Sequence, residues 1–209
     1  MTTLLHVCAS PRGPRSESLA IAEAFLEAYR DSHPDVAIET WNLWDDGALP
    51  PFGPAAAEAK MEIFAGRAPE GDAAAAWRAV GRTYARFNAA DRYLFSVPMW
   101  NAGVPYVLKQ FIDVVSQPGM VFSFDPDHGY TGLLRGKKAA VIYTSAVYGE
   151  GRPPSFGADF QRPYVEEWLR WAGVTEIDEV TFRPNLATAD ADTGRRAVHA
   201  RARDIAKSF

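Results

Sequence analysis

The 209-residue sequence predicts an α/β fold, a doubly wound five-stranded parallel sheet with helices on both faces. Three observations predict it. Apolar runs of strand length alternate with segments of helical period along the chain. The central runs are apolar throughout, as expected of strands covered on both faces. Each of these runs ends in small, polar or proline residues, the punctuation of a loop. Length and composition fit one ordinary domain over residues 1–209, because 47% hydrophobic and 23% charged residues sit near globular averages.

Taken in order, Leu4 to Ala9 is a continuous apolar run. After the loop Ser10 to Ser16, the residues Leu19, Ile21, Ala22, Phe25, Leu26 and Tyr29 recur at helical spacing. Val36 to Trp44 alternates and reads as a second strand. Asp45 to Asp72 is rich in Pro, Gly and Ala without one clear period, and reads as a long excursion. Residues 73–90 read as a helix, and Tyr93 to Val97 as a buried strand stopped by Pro98. Pro105 suits a helix first turn, and Val107, Leu108, Phe111, Ile112 and Val115 form the stripe that follows. Val121 to Phe124 reads as one arm of a short hairpin, and Lys138 to Thr144 as a strand between Gly136 and Ser145. Tyr164 to Trp171 reads as a helix with Val165, Trp168, Leu169 and Trp171 on its apolar face. Glu176 to Phe182 makes the fifth strand and Asp190 to Lys207 the closing helix.

Charge and composition exclude several function classes. A net charge of −4 with no useful Lys/Arg run argues against nucleic acid as a partner. The lone cysteine, Cys8, cannot form an intramolecular disulfide, so a reducing cytoplasm is the expected location. The apolar run near the N-terminus is too short for a secretion signal, and no window is apolar enough to span a membrane. His6, His33, His128 and His199 lack metal-ligand spacing and no G-x-S-x-G elbow occurs, which disfavours a metal protein or a hydrolase. His6 and Cys8, both inside a predicted strand, read as packed core residues.

In a doubly wound sheet, ligands bind beyond the carboxyl ends of the strands, so the loops there carry the functional reading. The first, Ser10-Pro11-Arg12-Gly13-Pro14-Arg15-Ser16-Glu17-Ser18, opens a helix and gathers hydroxyls, free amides and two arginines. Such a helix start binds a phosphate monoester well, although simple capping with exposed arginines explains the same residues. The dinucleotide fingerprint G-x-G-x-x-G is absent here. Gly132 to Lys138 only superficially resembles a Walker A loop, since it lacks Ser/Thr after the lysine and precedes a strand. The third strand runs into Val97-Pro98-Met99-Trp100-Asn101-Ala102-Gly103-Val104-Pro105, a stiff loop that can present amides to the edge of a flat heterocycle and Met99 and Trp100 to its face. A proline-punctuated turn is the alternative. Thr144 to Gly151, small and polar, follows the fourth strand. One phosphate loop and two ring-contacting loops are what FMN needs at a topological switch point.

These segments also resemble a known family. Ser10 to Ser18, Pro98-Met99-Trp100-Asn101 leading into Pro105-Tyr106-Val107-Leu108-Lys109-Gln110-Phe111-Ile112-Asp113, then Gly119-x-x-Phe122-x-Phe124 and Gly132 to Lys138 are similar to the FMN-dependent NADH azoreductases, also called FMN-dependent NADH:quinone oxidoreductases. The likeness spans nearly the whole chain in order and implies a flavodoxin-like fold. It implies that Ser10, Ser16, Glu17 and Ser18 hold the FMN phosphate, and that Met99, Trp100, Asn101 and Ala102 border the isoalloxazine ring. Ser145, Ala146, Val147 and Tyr148 stand where the family has a serine, an arginine and two glycines against the ring edge. The loop here is shorter and lacks those glycines, and Ala102 replaces a bulkier, often aromatic residue.

The resemblance further implies a homodimer whose active sites are each completed by the partner, with Phe124 and Trp171 lining the substrate pocket; helix packing is the alternative for Trp171. It implies ping-pong chemistry, in which NADH reduces bound FMN and a quinone or azo compound then takes the electrons in the same slot. Sequence order does not separate NADH from NADPH. A flavodoxin-like electron carrier is the competing reading, opposed by the aromatic pocket and the modest charge.

Overall fold

A computed structural model describes residues 2–209; Met1, the first residue of the expected 1–209 domain, lies outside them. Strand β1 (Thr3–Cys8) leads through a one-turn 3₁₀ helix at Gly13–Arg15 into helix α1 (Glu17–Ser32), and β2 (Ala37–Asn42) follows. Helices α2 (Pro54–Phe64) and α3 (Gly71–Asn88) precede β3 (Arg92–Pro98) and α4 (Tyr106–Val115). A hairpin of β4 (Phe122–Asp125) and β5 (Gly129–Gly132) comes next, then β6 (Lys138–Thr144), α5 (Arg162–Ala172), β7 (Glu176–Phe182) and α6 (Ala191–Ser208).

Five strands form one parallel sheet in the order β2-β1-β3-β6-β7, and β4 pairs with β5 antiparallel in a separate two-stranded sheet. The order reverses between β1 and β3, because the chain steps outward to β2 and then returns to the other side of β1. That reversal parts the two following loops and opens a crevice at the strands' carboxyl ends.

Successive strand residues point to opposite faces, and here both faces are apolar. Leu4, Leu94, Ala140 and Ile142 pack under α1 and α6, against Phe25, Tyr29 and Phe209. Leu5, Phe95, Val141 and Tyr143 pack on the other face with Phe87, Phe111 and Trp168 from α3, α4 and α5. With both sides covered, the strands run as rigid rails and their ends hold loops at fixed spacing.

The excursion expected over 45–72 contains an ordered helix, α2. Only Ala56 and Ala59 of it are buried, and Met61 and Phe64 stay exposed. Two alanines on an Ala-rich background leave no apolar period to read, which is why the sequence hides this helix. The hairpin root is fixed by close approach. A Cβ placed on Gly132 would lie 2.3 Å from the Gly173 nitrogen, so only glycine fits where β5 crosses the end of α5.

Candidate functional site

The loop after β1 builds the first part of the crevice. Ser16 caps α1 by accepting from the Leu19 amide at 3.4 Å, and its hydroxyl lies 3.1 Å from that of fully buried Ser18. Among the described residues, the amides of Glu17 and Ser18 make no hydrogen bond within the chain. These free N–H groups stand at the positive end of the helix dipole, where an anion is favoured. Ser10, also buried, meets only a long 3.5 Å contact from the Arg12 amide. The Glu17 carboxylate turns away to Arg195 on α6, 2.7 Å from its guanidinium, so this residue offers the crevice its backbone and not its charge. Ser10, Arg12, Ser16 and Glu17 border a cavity of about 110 Å³ with Met99, Trp100, Ser145 and Ala146.

The loop after β3 turns in two residues. Trp100 and Gly103 exchange both backbone hydrogen bonds at 3.0 and 2.8 Å, and Asn101 and Ala102 between them have φ of 49° and 66°. Left-handed backbone at non-glycine residues persists where surrounding contacts over-determine it. Those contacts are present. The Met99 amide donates to Thr144 O at 2.7 Å, the Phe160 amide donates to Ala102 O at 2.9 Å, and the buried Gln161 side chain donates to Val97 O at 2.8 Å. Trp100 leans on Trp44, ring centroids 5.5 Å apart, and the Trp44 indole donates to Ala9 O at 3.0 Å.

The loop after β6 forms the opposite wall. The Asn185 amide donates to Ser145 O at 2.8 Å, the Leu186 and Ala187 amides to Ala146 O, and the Arg152 guanidinium to the carbonyls of Val147 and Ala187. A second cavity of about 220 Å³ opens here. It shares Met99, Ser145 and Ala146 with the first and adds Asn101, Ala102, Val147 and Tyr148, with Phe156 to Ala158 closing one side. One ligand can therefore run from an anion site at a helix start to a flat slot walled by two backbone turns. A phosphorylated planar heterocycle has that shape and chemistry.

Larger depressions exist, such as the one of about 380 Å³ beside Tyr29, His33 and Arg92 at the amino end of the sheet. None of its lining residues stands at a helix start. His6, Ser96 and Cys8 lie inside the sheet below the crevice, with His6 Nε2 2.7 Å from Ser96 Oγ. Burial pulls the His6 imidazole down to about 4, and burial, aided by Asp45, pushes the Cys8 thiol up to about 12. Neither is armed for chemistry.

The eleven other residues assigned to the phosphate and ring by sequence join Glu17 at these two cavities, ten lining them and Ser18 lying behind Ser16. Phe124 and Trp171 border neither. Trp171 packs on Phe122 and Tyr130 of the hairpin, Phe124 packs on Tyr130, and Phe124 is 54% exposed. Thr144, named from sequence at the head of its loop but given no role, also lines the crevice, as do Asn185 and Phe156 to Ala158, which were not singled out. Asn185 follows β7, so the strand-end rule, applied to the fifth strand as to the others, points to it.

A family model described as flavodoxin-like fold matches residues 2–206. An FMN-dependent NADH:quinone oxidoreductase of Ruegeria pomeroyi is 44% identical over 194 residues, covering 93% of this chain and 95% of that protein. The chain belongs to this family. A second relative, FMN-dependent NADH:quinone oxidoreductase 9 of Burkholderia lata, is 39% identical over 213 residues and the full length of both. Among solved structures, an azoreductase from Bacillus anthracis superposes with a TM-score of 0.90 at 26% identity, covering 100% of each chain. The doubly wound, flavodoxin-like sheet expected from the sequence is the fold of these family members.

Proposed function

We propose that this chain is an FMN-dependent oxidoreductase that passes electrons from NADH to quinones and azo compounds. The observation that carries the reading is the continuity of the free amides at the start of α1 with the slot between the Trp100–Gly103 turn and the Ser145–Tyr148 loop. The residues present fit FMN, because the anion site is unclaimed by any protein acid and the slot walls offer backbone groups to a ring edge. When bound, FMN supplies the redox chemistry, taking electrons from reduced nicotinamide and giving them to the acceptor in ping-pong order.

The protein's part is to bind and orient. Ser10, Ser16 and Ser18, with the amides of Glu17 and Ser18, hold the phosphate. Met99, Trp100, Asn101 and Ala102 border one side of the ring and Ser145, Ala146, Val147 and Tyr148 the other. No protein acid or nucleophile is asked to react, in keeping with the buried, neutral His6 and Cys8. Residues 1–209 act as one flavin-binding domain.

The working form is a homodimer. Tyr164, Trp168 and Trp171 rim a shallow apolar depression of about 610 Å³, and Phe124 and Tyr130 stand exposed on the hairpin. An apolar patch of this kind calls for a cover. A second subunit supplies it and receives Phe124 and Trp171 as walls of its acceptor slot. Among the described residues no helix is long and apolar enough to cross a membrane, and a cytoplasmic setting provides NADH and keeps Cys8 reduced.

The deciding experiment is a visible spectrum of purified protein given FMN, followed by NADH and then a quinone. Flavin absorbance that bleaches with NADH and returns with quinone, with steady turnover and no partner protein, is the expected result. A protein that takes up no flavin at micromolar concentration overturns the proposal.

A further inference from the structure

Twelve polar or charged residues are buried among the described residues. Eight of them, His6, Ser16, Ser18, Thr83, Ser96, Gln117, Gln161 and Glu166, satisfy at least part of the side chain with a hydrogen bond inside the protein. The other four are Ser10, Thr144, Ser145 and Asn185. Among the described residues, Ser10 has only its 3.5 Å contact, and the side chains of Thr144, Ser145 and Asn185 have no hydrogen-bond partner. All four line the same cavity. Their free atoms are not among the sealed, unpartnered ones, which include Tyr143 Oη and Gln161 Oε1, so they retain access to that cavity. Buried polar groups are normally satisfied, and a cluster of exceptions facing one space marks a ligand that satisfies them.

Ser10 belongs with the phosphate hydroxyls. Thr144, Ser145 and Asn185 lie in a different place, at the ends of β6 and β7. Ser145 borders both the phosphate-end and the ring-end cavity, and the Asn185 amide is bonded to Ser145 O. A ligand with its phosphate at α1 and its ring at the Trp100–Gly103 turn must thread its linker past this trio. We infer that Thr144 and Asn185, with Ser145, form a polyol subsite that hydrogen-bonds the hydroxyls of the ribityl chain of FMN. An alkyl linker would leave two hydroxyls and a carboxamide desolvated and unpaired. A chain of hydroxyls matches them, since each can both donate and accept and the carboxamide offers two donors and an acceptor. Asn185 and Thr144 are thus binding residues that read the linker, separate from those that hold phosphate and ring.

The inference rests on the flavin reading above, and the test separates the two. Flavin-free full-length protein is titrated with FMN and with an analogue whose ribityl chain is replaced by a plain alkyl phosphate, following quenching of flavin fluorescence. Wild type is expected to prefer FMN by tenfold or more. Asn185→Leu and Thr144→Val, which keep volume and backbone, are each expected to weaken FMN about tenfold while barely changing the analogue, so that the preference shrinks. Variants that bind both ligands as wild type does, or lose both equally, overturn the polyol subsite. So does a wild type that does not discriminate, an arm that stands even if a variant fails to fold. Wild type that binds neither ligand sinks the flavin reading itself.

Discussion

Arg195 on α6 closes on the carboxylate of Glu17 in the first turn of α1, with Nη2 2.7 Å from Oε1 and Nε 3.1 Å from Oε2. This pair sits at the edge of the proposed phosphate site, where an unneutralised carboxylate would oppose the ligand. Removing the guanidinium leaves a negative charge unpaired at the rim of that site, and through largely water-screened space this is worth roughly 1 kcal/mol, or about fivefold in affinity. Arg195→Gln should therefore weaken FMN about fivefold at low salt and less at high salt, as screening grows. Riboflavin, which has no phosphate, should bind both forms alike, and the Glu17→Gln/Arg195→Gln double variant should recover FMN binding. Equal loss of riboflavin and FMN in isothermal titration would show that the pair acts through structure alone.

The buried His6 makes a pH prediction whose sign is fixed by its environment. Burial holds the folded imidazole down at about 4, whereas the unfolded chain titrates near the ordinary 6.5. Below 6.5 the unfolded state gains a proton that the folded state refuses, so stability is complete above that pH and is lost as pH falls from 6.5 towards 4. The full span is of order 3 kcal/mol. His6→Asn should flatten the fall in Tm between pH 7 and 4.5, measured by calorimetry. By the same burial, native Cys8 should resist iodoacetamide at pH 8. Rapid alkylation of folded protein contradicts the packing described here.

The parts of the molecule that were legible in the sequence share one property: their signal is local. Tyr93 to Val97 and Glu176 to Phe182 read as strands because a short apolar or alternating run needs no knowledge of its neighbours. The crevice loops were legible because strand ends in an open α/β sheet are where ligands sit, whatever the loop sequence. What stayed hidden depends on direction or on distant contact. Glu17 lies in the loop proposed to hold the phosphate, yet its carboxylate points to a residue 178 positions away. The strand-end rule points to the stretch Arg183-Pro184-Asn185-Leu186, but only the folded chain shows Asn185 on the crevice, its backbone amide bonded to Ser145 O. Phe124 and Trp171 have the right residue type, and only the folded chain shows them on the hairpin side, away from the crevice.

Ala102 carries a conformational cost that can be measured. At φ 66° its Cβ crowds the backbone, a penalty of roughly 1–2 kcal/mol that glycine avoids, although glycine's greater unfolded freedom returns part of it. Ala102→Gly should be neutral or stabilise the protein by up to about 1 kcal/mol. Ala102→Val, whose branched side chain tolerates this backbone least, should destabilise it by roughly 1 kcal/mol or more. Because the Trp100–Gly103 turn borders the proposed ring slot, the valine variant should also lose FMN affinity more than it loses Tm. Urea denaturation of both variants with and without FMN decides this, and a valine variant as stable as wild type removes the argument for a strained turn.

The acidic pair on α5 and β7 gives a second pH effect, opposite in sign to that of His6. Arg162 Nε lies 2.7 Å from Glu166 Oε1 and 2.9 Å from Glu179 Oε2, and Arg170 Nη2 reaches Glu166 Oε2 at 2.9 Å. Burial and the hydrogen bond with Glu166 push the Glu179 carboxyl up to about 7, while the hydrogen bond from Glu179 and those from Arg162 and Arg170 outweigh burial and hold the Glu166 carboxyl down. The folded state therefore holds a proton that the unfolded chain, titrating near 4.5, releases. This stabilisation is complete below about 4.5 and is lost as pH rises through 7. A glutamine at 179 mimics the protonated acid at every pH, so Glu179→Gln should leave Tm at pH 5 nearly unchanged and raise it at pH 8 by about 2–4 °C. Flavin binding should follow, since the first residue before α5, Gln161, anchors the Val97 carbonyl below the ring slot. A lower Tm at pH 8 would mean that an ionised Glu179 gains more from Arg162 than it loses to Glu166.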